Sequence, residues 1–443
     1  MIEEEAQTVK PTGWFSAYRL SNSQVWTLAA GRSLCQVGAG LMSFYIPIVF
    51  VNEVGLSATS VGLSVGLISL TEVAGHLFAG PMADSPRFGR KKTLLIAVGL
   101  SILVSFILAN THSLPLLIAA CLLFGFSLGG YWTTVNAIVI DMTTLEERGQ
   151  AYAIVSVADN LGIGIGVLAG GAFLTLTNQP GQMVFIGCGL IFLAFLLVVQ
   201  IIFAETRQPQ PNGASGSQGI LTALKDRRLL VYFVANSLFT TYIALVSSTI
   251  PLYFTNFVPA VGGGTDSALA NTANLFTWCY IGFGTLLQLP LAQVFNSFKH
   301  IRVLMIAMGL WAMGFFLVWI TGIAPSAQYA WGVTALCTLS IASVLHKPYA
   351  AALLAELAPT SLRATYVSLG SQSWALGFFI GPSIGGWAMD QSLTIADTIW
   401  LVTATTTLLG LAVLWLFESL FQPTNTIISD EGDRGCGDGS CQN

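Results

Sequence analysis

Six ionisable side chains lie inside long apolar runs of this 443-residue chain: Arg32, Glu72, His76, Asp159, His346 and Lys347. A charged group at the centre of an isolated spanning helix costs about 2.5–3.5 kcal/mol on insertion scales, so each one calls for a partner or a job. Glu72 and His76 are one helical turn apart and can share a proton or a hydrogen bond. Asp159 stands three and seven residues before Gly162 and Gly166, which turns it toward a helix seam rather than lipid. His346 and Lys347 precede Pro348, whose missing N–H loosens a helix at that point. Two chemistries suit the set. Arg32 and Lys347 could neutralise Glu72 and Asp159 as structural ion pairs. Alternatively, Glu72 or Asp159 could carry a proton that comes and goes with access to either side, while Lys347 or Arg32 attracts an anionic solute.

The elements that must position these groups follow from composition. Hydrophobic residues make up 54% of the chain and the mean hydropathy is +0.73, above the roughly 45–50% apolar content of a soluble domain. Runs of about 18 or more apolar residues occur at about 25–51, 58–81, 93–110, 115–140, 150–177, 182–204, 229–257, 269–294, 302–323, 328–355, 364–389 and 397–421. Each is long enough to cross the roughly 30 Å of hydrocarbon as a helix, the form that satisfies its own backbone there. At about 1.5 Å per residue, Arg32 lies about 11 Å past Val25 and Glu72 about 18 Å before Asp84. On the same scale, Asp159 lies about 15 Å past Gly149 and Lys347 about 13 Å before Glu356, so all four fall near mid-bilayer. Tyr131, Trp132, Trp278, Tyr280 and Trp374 lie at similar depth, where they can wall a cavity or pack.

Fifteen of the 17 Lys and Arg fall in the two tails or in connections after even-numbered runs, which places both termini in the cytoplasm. The first residues are acidic (Glu3, Glu4, Glu5) and no cleavable signal is visible, so insertion is expected to use the chain's own helices. Five cysteines fall within apolar runs and read as core; Cys436 and Cys441 fall in a polar tail expected to be disordered. No P-loop, no catalytic Ser/Cys/His set and no metal-ligand cluster is present, which argues against an ATP-driven pump or a membrane hydrolase.

The connection at 205–228 contains ETRQPQPNGASGSQG, a linker composition that divides the helices six and six. The halves repeat one another. RGQAYAIVSVADNLGIGIGVLAGG from Arg148 aligns without gaps on RATYVSLGSQSWALGFFIGPSIGG from Arg363. Gly162, Gly166 and Gly170 then match Gly377, Gly381 and Gly385, each 215 positions on, as Glu356 matches Asp141. NSFKHIR is a faded counterpart of DSPRFGR, with Asn296 where Asp84 stands. A parallel six-plus-six repeat is one of the architectures of secondary transporters.

Gly80, Asp84, Arg87, Gly89, Arg90 and Lys91 resemble the signature of the major facilitator superfamily between its second and third helices, here with Ser85 and Pro86 inserted. Asp141 before LEERGQA and the glycine-rich runs GIGVLAGG and GFFIGPSIGG are similar to further motifs of that family. The resemblance covers nearly the whole chain and is strongest to its twelve-helix drug/proton antiporters. It implies a latch in which Asp84 accepts hydrogen bonds from the amino end of the eleventh helix while Arg87 or Arg90 pairs with Asp141. Gly162, Gly166 and Gly170 share one helical face, as do Gly377, Gly381 and Gly385 with Pro382 bending that helix; plain helix packing accounts for this, and the resemblance implies instead that these residues form a seam between the halves. Two departures bear on mechanism: Val167 replaces a usual proline, and LLFGFSLGG lacks the fourth-helix Arg of many proton-coupled exporters.

The expectation is an all-α membrane protein of twelve transmembrane helices in two six-helix bundles around a central cavity. Its units are a tail at 1–24, bundles at 25–204 and 229–421, the linker at 205–228 and a tail at 422–443. It is expected to be no enzyme but a monomeric secondary transporter of the plasma (bacterial inner) membrane. Proton-coupled export of a small organic solute is expected, without cofactor, metal or nucleic acid. The alternatives are proton-coupled uptake, facilitated diffusion, or a sensor that moves nothing.

Overall fold

A computed structural model describes residues 23–144, 147–177, 181–203, 205–206, 223–258, 261, 268–359 and 362–421. The sequence's tail cysteines, Cys436 and Cys441, and most of the 205–228 linker lie outside them. Twelve helices follow one another: α1 (Ser23–Asn52), α2 (Ala58–Asp84), α3 (Gly89–Ala109), α4 (Leu114–Met142), α5 (Arg148–Thr177) and α6 (Met183–Ile202) form one half. The other half begins with α7 (Arg227–Phe257) and α8, a continuous rod built of Ala268–Leu275, a π-helical stretch Phe276–Gly282, and Phe283–Phe295. It continues with α9 (His300–Ile323), α10 (Gln328–Leu357), α11 (Arg363–Met389) and α12 (Leu393–Phe421). Eleven of these are long and apolar enough to cross a membrane, and the 27-residue α11 completes the twelve. The side holding the start of α1 and the ends of the even-numbered helices is called the terminus side, and the opposite one the far side.

Within each half, close helix approach depends on glycine. A Cβ on Gly162 or Gly166 would run into the Ser33 or Val37 carbonyl of α1, and one on Gly170 would meet Tyr45 and Leu41. In the second half Gly377 and Gly381 lie on Thr240, Thr241 and Ala244 of α7, and Gly385 lies on Thr249. These six glycines therefore join neighbours of the same half, and the expectation that they line the seam between halves is corrected. A stripe of small residues reports that a backbone comes close but does not say whose. Similarly, Gly75, Gly125 and Gly129 lock α2 onto α4.

The seam between halves uses other faces of the same helices. Gly164 and Gly171 of α5, on the side away from Gly162, meet Thr277, Ile281 and Ala273 of α8. The π-helical stretch of α8 thus forms that contact, and Ser340 of α10 donates to the Tyr280 carbonyl at 2.6 Å beside it. On the second seam, Gly62 and Gly66 of α2 meet Pro382, Gly386, Phe379 and Ser383 of α11, so Pro382 does stand between the halves. The last hydrogen bond along it runs from Ser69 to the Ala375 carbonyl at 2.9 Å.

Among the described residues, every hydrogen bond between the halves lies from that point outward to the far side: Ser69 with Ala375, Thr59 and Ala58 with Asp390, and Asn52 with Asn256. The far-side seam closes to a crevice of ≈ 10 Å³ between Pro47, Gly62, Thr249, Pro382 and Gly386, room for about one water. Toward the terminus side, Leu77 and Phe78 of α2 and Val367 of α11 are exposed. The described contacts between the halves thus gather toward the far side.

Candidate functional site

Arg32 of α1 and Asp159 of α5 form a buried, two-pronged ion pair, Nε to Oδ1 at 3.1 Å and Nη2 to Oδ2 at 2.6 Å. The stripe that brings the helices together also sets this pair: Asp159 continues the face of Gly162 and Gly166, and Arg32 adjoins Ser33, the carbonyl under Gly162. Arg32 is 3% exposed and Asp159 is 9% exposed. The guanidinium also lies over the Trp132 ring, 5.2 Å from its centroid, while its Nη1 has no hydrogen-bond partner among the described residues. A forked guanidinium matches both oxygens of a carboxylate, which fixes direction as well as charge.

Lys347 faces this pair from α10 of the other half. Its side chain is exposed, its charge acts on Asp159, and among the described residues it makes no hydrogen bond or ion pair. Among the described residues the centre therefore brings together two cations and one carboxylate. His346 does not join it. One residue along a helix turns the side chain by about 100°, and His346 is fully buried within its own half. There it is stacked on Phe239 at 4.4 Å, with Nε2 2.8 Å from the Asn236 Oδ1. Asn236 in turn donates to Ser373 at 2.6 Å.

Glu72 and His76 are together on α2, Oε1 to Nε2 at 3.7 Å, and His76 Nδ1 lies 2.8 Å from the Thr133 hydroxyl of α4. By helical period both fall within about 60° of Ser69, on the terminus side of the last contact with α11. Their side chains are 29% and 42% exposed, Glu72 first. No contact joins them to Arg32 or Asp159 among the described residues.

At the terminus end Arg90 bridges two carboxylates, Nη1 to Asp84 at 2.5 Å and Nε to Asp141 at 3.1 Å. Glu205, just past α6, accepts from the Arg90 and Lys91 amides at 2.8 and 3.2 Å and so caps α3. Gly89, at φ +70°, lets the chain turn into α3 beside that carboxylate. Arg87 is exposed and lies 6.0 Å from the Phe88 centroid, so Arg90 is the arginine that meets Asp141. Gly80 faces open space. The second half repeats this network in altered form: His300 meets Glu356 at 2.8 Å, and Arg302 meets Glu418 at 3.4 Å.

Sequence reasoning missed the far-side contacts. Asn52 and Asn256 exchange side-chain hydrogen bonds at 2.9 Å in both directions. Asp390 accepts from the Ala58 and Thr59 amides at 2.7 Å each. The signal for the first was present: IPIVFVN, ending at Asn52, and IPLYFTN, ending at Asn256, are 204 positions apart.

The description "Major Facilitator Superfamily" fits a family model matched over residues 28–270. Two similar curated proteins are called "Multidrug resistance protein MdtH". That of Edwardsiella ictaluri is 25% identical over 389 residues, covering 86% of this chain and 90% of its own. That of Photorhabdus laumondii is 28% identical over 388 residues, covering 85% and 89%. Among solved structures, nucleoside transporter NupG superposes with a TM-score of 0.74 at 14% identity, over 91% of this chain and 100% of that one. Peptide transporter POT in complex with sulfate gives 0.72 at 14%, over 91% and 96%. At those identities the structures speak for the fold alone. With its family model matched over more than half its length, the chain belongs to the Major Facilitator Superfamily and is a multi-pass membrane secondary transporter of small molecules, not an enzyme.

Proposed function

We propose that this transporter exports small amphipathic organic solutes in exchange for protons, with Asp159 as the proton carrier and Lys347 as the counter-ion for an acidic group on the solute. The observation that carries this reading is the Arg32–Asp159 ion pair at mid-depth, with Lys347 opposite it on the other half. A proton on Asp159 competes with Arg32 for the carboxylate, and its arrival frees a guanidinium in the same space where Lys347 stands. With Lys347 the centre carries one net positive charge when Asp159 is ionised and two when it is protonated, so exchange requires the acidic solute to leave before Asp159 takes its proton.

Both termini are taken to be cytoplasmic, so a molecule whose halves meet at the far side is read as inward-facing. In it Asp159 has given up its proton to Arg32's advantage and Lys347 awaits solute. Rocking about the α2–α11 and α5–α8 seams opens the far side, where solute leaves and Asp159 then takes a proton. The name of the similar proteins, multidrug resistance, supports export of foreign organic molecules. The functional unit is a monomer in a bacterial inner membrane.

Proteoliposomes loaded with carboxyfluorescein as an anionic probe or ethidium as a cationic one test the reading. Under an imposed proton gradient, the wild-type protein is expected to drive the anion uphill. Asp159→Asn is expected to abolish uphill movement while leaving exchange, and Lys347→Gln to weaken the anion's movement at least tenfold. Uphill movement unchanged in Asp159→Asn removes it as carrier.

A further inference from the structure

The α2–α11 pair carries a carboxylate at each end, and the two stand in opposite relation to the helix ends. The helices run antiparallel, so Asp84, the last residue of α2, lies at the end where α11 begins, and Asp390, just past α11, lies where α2 begins. Asp390 is already seated. Its Oδ1 accepts from the Ala58 amide at 2.7 Å, and its Oδ2 accepts from the Thr59 amide at 2.7 Å and the Thr59 hydroxyl at 2.5 Å. Ser57 caps the same helix from within, its hydroxyl accepting from the Ser60 amide at 3.2 Å and donating to the Ser60 hydroxyl at 2.8 Å. The first two amides of α2 are therefore satisfied from the other half of the molecule, 332 and 331 residues away. A helix amino end leaves such donors bare and favours an anion there.

Among the described residues the other seam shows no such contact. The repeat places Thr175 of α5 where Asp390 stands and Asn296 of α8 where Asp84 stands. Thr175 bonds the Gly171 and Ala172 carbonyls of its own helix.

Resting on the alternating-access reading above, we propose that Asp390 is a far-side latch, the counterpart of Asp84. It caps α2 only while the far side is closed and so biases the protein toward the state open to the terminus side. Opening the far side exchanges its three hydrogen bonds, one of them to a hydroxyl, for water. The Asn52–Asn256 pair closes α1 on α7 at the same end. Asp390 is water-exposed, which keeps the exchange reversible.

The test places spin labels at Asn110→Cys and Thr394→Cys, exposed far-side sites of opposite halves, in protein freed of its native cysteines, and reads their distance by pulsed electron resonance at pH 5.5 and 7.5. The latch predicts that Asp390→Asn and Asp390→Ala each raise the ratio of long to short distances at pH 7.5 at least fivefold. Thr59→Val, which keeps shape and loses one hydrogen bond, is expected to shift it in the same direction by about twofold to threefold. Unchanged ratios in all three, with the wild-type distance still moving with pH, overturn the latch and leave alternating access standing. A distance that never moves, in wild type or variants, overturns both.

Discussion

Asn52 and Asn256 occupy the same position of the internal repeat and hydrogen-bond to each other, amide to amide, at 2.9 Å both ways. Two equivalent residues can meet each other only on a two-fold axis, so the pseudo-symmetry axis of the two halves passes between them at the far side. The contact is self-complementary, as an isologous contact must be. Asn52→Ala, Asn256→Ala and the double variant are therefore expected to raise the open far-side population to similar extents. The double would fall short of the sum of the singles, with a coupling of about 0.5–1.5 kcal/mol. A double-mutant cycle on label distances measures it; simple additivity would mean that the two amides act separately.

The Arg32–Asp159 pair predicts an asymmetry of stability. Asp159→Ala leaves a guanidinium buried without its counter-charge and is expected to destabilise the first half by about 3–5 kcal/mol. Arg32→Met with Asp159→Leu, which removes both charges, is expected to recover most of that loss while remaining unable to move solute uphill. Thermal unfolding in detergent reads the first effect and proton-driven flux the second. A double variant as unstable as Asp159→Ala would show that the pair is not what the site depends on.

Two classes of glycine separate packing from motion. A Cβ on Gly166 collides with the Val37 carbonyl inside one half, whereas a Cβ on Gly62 collides with the Pro382 carbonyl across the seam. Gly166→Val is expected to lower stability by about 1–3 kcal/mol. Gly62→Val is expected to leave stability nearly unchanged and to hold the far side apart. Melting temperature and far-side label distance together distinguish them, and equal loss of stability in both would contradict the assignment of the seam.

Arg90 holds Asp84 and Asp141 with two separate nitrogens. A lysine offers one point charge and cannot reproduce that fork. Arg90→Lys is thus expected to retain partial transport and Arg90→Ala to lose it with most of the folded yield, since the Asp141 side chain is only 4% exposed. Yield and flux of Arg90→Lys equal to wild type would show that charge alone is enough.

The helices were legible because hydropathy is set by the bilayer, which acts on every residue. So was the Arg90–Asp141 contact, since charged residues outside the membrane stand out in a chain that is 9% charged; Asp84, expected at the amino end of α11, pairs with Arg90. The seam was not. Gly162 and Gly164 are two residues apart and face different neighbours, and sequence spacing cannot tell α1 from α8 as the partner. His346 and Lys347 are adjacent and part company for the same reason. The polar cluster of the second half was readable in retrospect. At the 204 spacing Asn236 matches Arg32, and at 215 His346 matches Tyr131, so a charged centre in one half corresponds to a neutral one in the other. Finding it required aligning α1 on α7 with a different offset from α5 on α11. The π-helical stretch of α8 left no mark in FTWCYIG that hydropathy could reveal.

The central claim is that a proton on Asp159 governs which side is open. The most direct measurement is the far-side distance between labels at Asn110→Cys and Thr394→Cys, followed from pH 8 to pH 5 in otherwise native Asp159 and in Asp159→Asn protein. The account predicts that the native protein moves toward an open far side as pH falls, and that Asp159→Asn favours the open far side to the same extent at every pH while still alternating. An Asp159→Asn variant that titrates as the native protein does would contradict it.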